Sequence, residues 1–152
     1  MPVVTAYSNL VPVVLGGAVK PDPQALQGVP KVQTGTVANL STDSALSKYR
    51  LGDLPSDCYL DPSMQFFVTN WGFAQVNIGT EFNPTALITI LKSAGPLVIP
   101  HTVGDARFGL ELWQALGLAA NPGGFITLFA HATAAAVSAG NMPFRLAYLH
   151  RT

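Results

Sequence analysis

Charge is scarce in this chain: eight lysines and arginines stand against eight aspartates and glutamates, 11% of 152 residues, with a formal net charge of zero. Globular domains usually carry about 25% charged residues. The deficit argues against a nucleic-acid binder, which needs a basic field. It also excludes a disordered chain, which needs low hydrophobicity and high charge, because 49% of the residues are hydrophobic. Cysteine is nearly absent. Cys58 alone cannot form an internal disulfide or a cysteine-rich zinc site, and it reads as a small buried strand residue. Long hydrophobic runs are missing too. The longest weakly polar stretch, 125–140, contains His131 with several Thr and Ser, and is too short for a membrane span. No basic residue precedes Lys20, so no charged region leads into the apolar 11–15 as in a signal peptide. The expectation is a protein made in a cytoplasm and soluble until it meets its partners. Repeats, charge blocks and heptads are also lacking.

What is present begins with proline. Five of the twelve prolines, Pro2, Pro12, Pro21, Pro23 and Pro30, fall in residues 1–33. Proline fixes φ and removes a donor, so this stretch is neither a continuous helix nor a central strand. It is nevertheless apolar, with Val3, Val4, Tyr7, Leu10, Val13, Val14 and Leu15. We read 1–33 as an extended arm that lies on something, and these seven residues as its protein-interface contacts. It either folds back on its own domain or crosses to a neighbouring subunit.

Residues 34–152 have the texture of a β domain. Strands are predicted over 34–40, 47–54, 58–60, 65–70 and 74–79, with a turn or bulge at Trp71-Gly72. Residues 84–93 are ambiguous: Asn83 and Pro84 would open a short helix, whereas Ile88, Thr89 and Ile90 favour a strand. Pro96 and Pro100 make 97–103 extended. A helix is predicted over 108–116, with Phe108, Leu112 and Leu116 on one face and Gly117 as its stop. Two strands close the chain. In the first, Ile126, Leu128 and Ala130 alternate with Phe125, Thr127, Phe129 and His131. In the second, Met142, Phe144, Leu146, Tyr148 and His150 share a face. Seven or eight short strands with Gly/Pro turns make an all-β protein, a jelly-roll-like β-sandwich with one short inserted helix and an extended N-terminal arm.

Chemistry is hard to find. There is no G-x-S-x-G elbow and no phosphate-cradling glycine loop. Asp105 and Glu111 are candidates for a carboxylate pair, but read better as a turn and a helix face. His101 and Asp105 would share a metal-binding face only on a helix, which Pro100 and Gly104 oppose, and His131 and His150 lie on strands that can approach each other. No catalytic residue, metal ligand or cofactor is assigned, and the chain reads as a non-enzyme. Tyr49, Arg50, Trp71 and Phe73 are candidates for an interface or a stacking surface, with core packing as the competing role of the aromatics.

The order of features along 34–150 resembles the jelly-roll decoration, or cement, proteins of tailed bacteriophage heads and their relatives among small phage virion proteins. It is carried by Gly35-Thr36-Val37-Ala38, by Tyr49-Arg50-Leu51 before Leu54-Pro55, and by Cys58-Tyr59-Leu60. It continues in Asn70-Trp71-Gly72-Phe73-Ala74, in Asn77-Ile78-Gly79-Thr80, and in Pro122-Gly123-Gly124 ahead of the β-rich finish at 142–150. The resemblance implies a structural protein of the virion, on the capsid exterior. It would bind across subunits of the major capsid protein, associate with itself as a homotrimer and stabilise the shell. It implies neither nucleic-acid nor membrane partners, and no catalytic residues. A tail, neck or fibre-associated β-sandwich is the alternative. A carbohydrate-binding sandwich, with Tyr49, Trp71 and Phe73 as its platform, is a further one.

Overall fold

The computed structural model describes residues 28–150. Among these residues nine strands are divided between two antiparallel sheets: β1 (Val29–Asn39), β2 (Lys48–Pro55), β3 (Tyr59–Leu60), β4 (Gln65–Phe67), β5 (Gln75–Gly79), β6 (Ile88–Leu91), β7 (Leu97–Val98), β8 (Phe125–His131) and β9 (Gly140–His150). One sheet has the order β1-β9-β4-β7, with β3 also paired to β9; the other has the order β2-β8-β5-β6. β3 and β4 follow one another along β9, at Tyr59↔Leu149 and Gln65↔Arg145. They form one strand interrupted at Asp61-Pro62, where the Asp61 carboxylate accepts the Ser63 N–H at 2.9 Å.

Counted that way there are eight strands, and they pair first with last: β1 with β9, β2 with β8, β4 with β7, β5 with β6. The pairings β4–β9 and β5–β8 roll this long hairpin into two sheets. That pattern is the double-sheet jelly roll. Its core lies between the sheets. Ile126, Leu128 and Ala130 of β8, and Met142, Leu146 and Tyr148 of β9, point inward as their alternation requires. Leu54, Met64, Phe66, Trp71, Ile78 and Leu112 complete it.

Two expectations are corrected and one ambiguity is resolved. Strand β1 starts at Val29, inside the stretch assigned to the arm, so 29–33 belong to the sheet and pair with His150 through Leu146. Pro30 is tolerated there because β1 is an edge strand. The predicted helix over 108–116 shrinks to one turn, α1 (Leu112–Ala115). Gly109 sits at φ +86° and breaks the helical path before it, and the Glu111–Gln114 capping box opens the turn that remains. The ambiguous 84–93 resolves into β6 followed by a single 3₁₀ turn, Lys92–Ala94; the β-branched residues prevail because Val76 and Ile78 of β5 offer them a partner strand.

The connections gather at two ends. At one, 40–47, 68–74 and 132–139 are tied backbone to backbone. The Val137 N–H donates to the Gly72 carbonyl (2.8 Å), Ala136 to Asp43 (2.9 Å) and Asn141 to Asn70 (2.9 Å). Buried Asn39 accepts the Gly72 N–H and donates to the Ser138 carbonyl at 2.9 Å. At the other end lies the long 99–124 connection with α1. Leu112 N–H donates to the Cys58 carbonyl at 2.7 Å, and the Arg107 guanidinium reaches the carbonyls of Leu87 and Pro100, each at 2.9 Å.

Candidate binding surfaces

Of the residues that sequence patterns offered for chemistry, His101 and Asp105 come near enough to act on each other's charge, while the others are engaged separately. Asp105 is gripped by Arg107 of its own turn at 2.9 Å, and the guanidinium hydrogen bonds hold its carboxyl well below the usual range. Glu111 instead accepts the Trp113 indole N–H at 2.5 Å, so each of these two carboxylates is engaged by its own neighbour. His131 and His150 lie in different sheets. The His131 ring contacts the Thr80 carbonyl (2.7 Å) and the His150 ring contacts Asp57 (2.9 Å). His101 is fully buried, stacked on Phe108 with centroids 5.8 Å apart. Burial pushes its pKa below the ordinary value, against the pull of Asp105. Cys58 is buried as expected, and burial raises its thiol to about 12. Among the described residues no three His, Cys, Asp or Glu side chains cluster as metal ligands, and no helix is long and apolar enough to cross a membrane.

The proposed stacking surface is largely interior. Trp71 and Phe73 are buried in the core, their centroids 5.4 Å apart, with Tyr49 edge-on to Trp71 at 5.3 Å. Neither Trp71 nor Phe73 offers a face to a sugar or to another subunit, which corrects that expectation for both. The sequence shows aromatics and turns here but not which side of the sheet faces in. Tyr49 is half-buried and its hydroxyl donates to the Asp43 carboxylate. Its pKa is pushed up to about 12 by burial first and by that carboxylate second. Arg50 is exposed and paired with Asp53 at 2.8 Å. The arm residues Val3, Val4, Tyr7, Leu10, Val13, Val14 and Leu15 lie outside the described residues.

Two apolar surfaces emerge instead. The first is the end built from 40–47 and 132–139. Leu40 (66% exposed), Leu46 (88%) and Val137 (76%) project from these hydrogen-bonded loops. Leu46 has φ +70°, the one left-handed conformation among the described non-glycine residues. A bulky side chain there costs about 1–2 kcal/mol relative to glycine. Because the side chain is in solvent, packing within the domain does not account for it. Its N–H donates to the Ala132 carbonyl at 3.1 Å, which fixes the loop in place.

The second surface is a groove of about 380 Å³ on the outer face of β8, at the opposite end. Phe125 (69% exposed) and Phe129 come from β8, Phe82 (91%) from the β5–β6 loop, and Leu118 and Pro122 from the 99–124 connection. Its polar edge is Arg50, paired with Asp53, whose carboxylate also accepts the Thr127 hydroxyl at 2.5 Å. That hydroxyl is the main influence holding the Asp53 pKa down, although burial opposes it. The outward parity of Phe125 and Phe129 is visible in the sequence. The exposure of Phe82 and the strained backbone of Leu46 are not. No protein-family model, curated protein or solved structure matches this chain.

Proposed function

We propose that this chain is a non-enzymatic structural protein of a virus particle. In this reading it decorates and stabilises a bacteriophage capsid from the outside by binding across subunits of the major capsid protein, and it associates with itself as a homotrimer. The observation that carries the reading is Leu46: a leucine held in a strained left-handed conformation, pushed into solvent beside Leu40 and Val137, at one end of a jelly roll. Strain kept at an exposed position is strain kept for contact. The jelly roll is an architecture of viral capsid domains, although lectins and cupins use it as well. The scarcity of charge, 11% of residues, fits a surface covered in an assembly. Each shell contact can be weak, because a trimer engages several shell subunits at once and the linkage multiplies affinity.

The test is co-sedimentation of purified protein with expanded empty shells and, separately, with dissociated shell subunits. Saturable binding to shells and none to free subunits is expected. Leu46→Glu and Val137→Glu, verified as folded by circular dichroism, are expected to lose at least tenfold in shell affinity. Failure of the wild-type protein to sediment with shells, or full binding by both variants, overturns the reading.

A further inference from the structure

The groove on β8 has aromatic walls, Phe82, Phe125 and Phe129, with Leu118 and Pro122 closing its side. A patch of exposed large apolar side chains normally marks a surface that something covers. We propose that its occupant is the chain's own N-terminal segment, 10–15, Leu-Val-Pro-Val-Val-Leu, docked on the same molecule.

Four observations support this. The first is chemistry. Residues 2–19 contain no Asp, Glu, Lys or Arg, and prolines at 2, 12, 21 and 23 favour an extended backbone. Aromatic-lined grooves accept extended proline-containing segments at low entropic cost. The second is the exit point. The described chain begins at Gly28, beside Val29, which pairs with His150. The groove lies at that same end, where Phe125 pairs with Pro55 at the finish of β2. The third is direction: Gly28 has φ +92°, a turn conformation open to glycine, so the chain bends where it leaves the sheet.

The fourth is reach. Twelve residues, 16–27, separate the segment from Gly28, and extended they span about 40 Å. From β1 around the edge of β2 to the outer face of β8 is roughly 20 Å, one sheet spacing plus two strand spacings. A tether with that slack gives an effective concentration in the millimolar range. Docking on the same molecule therefore prevails over docking on a molecule outside the same oligomer at ordinary protein concentrations.

The experiment is cysteine trapping in the full chain. Cys58 is fully buried and does not compete. Val13→Cys with Phe82→Cys, oxidised at micromolar protein, is expected to give an intramolecular cross-link whose yield does not depend on concentration. Val13→Cys with Ser138→Cys, at the far end of the sandwich, is expected to cross-link at least tenfold more slowly. In parallel, Phe125→Glu at an exposed position is expected to speed chymotryptic cleavage at Tyr7 and Leu10 at least tenfold, while leaving the fold intact. Cross-linked dimers in place of the monomeric product would assign the segment to a neighbouring subunit and overturn the proposal. Equal trapping at positions 82 and 138, or unchanged cleavage in Phe125→Glu, would overturn it as well.

Discussion

At the scale of single residues, two side chains are held in places that oppose stability. Leu46 keeps a left-handed backbone that glycine adopts freely. Leu46→Gly is therefore expected to raise unfolding free energy by about 1 kcal/mol, read as a higher urea midpoint, and on the capsid-binding reading to weaken shell binding. A substitution that destabilised the domain would show that the leucine packs onto it after all. His101 is the second case. Both its ring nitrogens are buried without a hydrogen-bond partner among the described residues. Burial lowers its pKa, with Arg107 acting in the same direction, and outweighs the opposing pull of Asp105 and Asp61. Above about pH 6.5 the native and unfolded states are both neutral at this position, so it adds no pH dependence. As pH falls below that value the unfolded chain takes up a proton that the native one resists, and stability drops by up to about 1.4 kcal/mol per pH unit until the lowered native pKa is reached. Urea midpoints at pH 7.5 and 5.5 should therefore diverge more in the wild type than in His101→Phe, which keeps the stack on Phe108. Equal slopes would show that His101 is not responsible.

At the scale of elements, the loops of the Leu46 end are joined tightly, backbone to backbone. A methyl group placed on Gly140 would lie 1.9 Å from the Asn70 carbonyl oxygen, and one on Gly72 would lie 2.1 Å from that of Ser138. These are backbone atoms, so no side chain can rotate away to make room. Gly140→Ala is expected to cost about 1–3 kcal/mol through forced backbone shifts, seen as a lower melting temperature. On the capsid-binding reading it should also reduce shell binding, because the loops carrying Leu40, Leu46 and Val137 would separate. Gly117→Ala faces open space and is a contrasting case, penalised only for its φ of +79°. The same glycine logic limits α1 to one turn. Phe108, Leu112 and Leu116 have helical spacing, but Gly109 interrupts the path and Phe108 stacks on His101 instead. A pattern of apolar residues states a preference for burial, and only the surrounding packing decides whether a helix or an irregular loop achieves it.

At the scale of the whole molecule, the jelly roll is a hairpin folded on itself, so its first and last strands are partners eleven residues long, registered from Val29↔His150 to Asn39↔Gly140. Assembly of the fold therefore waits for contacts across more than a hundred positions of the chain, and slow folding follows from that topology. Much of this molecule was written in its sequence. Alternation in 125–131 and 140–150 specifies which side chains of β8 and β9 face inward, because a pleated strand has a strict period of two. Proline and glycine positions place most of the turns, because they act through their own backbone geometry. Tertiary structure decided the rest. It set the strand order, since pairing is non-local and nothing in a short strand names its partner. It sent Trp71 and Phe73 into the core and left Phe82 outside, although all three are aromatics near turns. It also bent Leu46 into a conformation that its own side chain disfavours, because there the hydrogen bonds of the flanking loops, rather than local preference, fix the backbone.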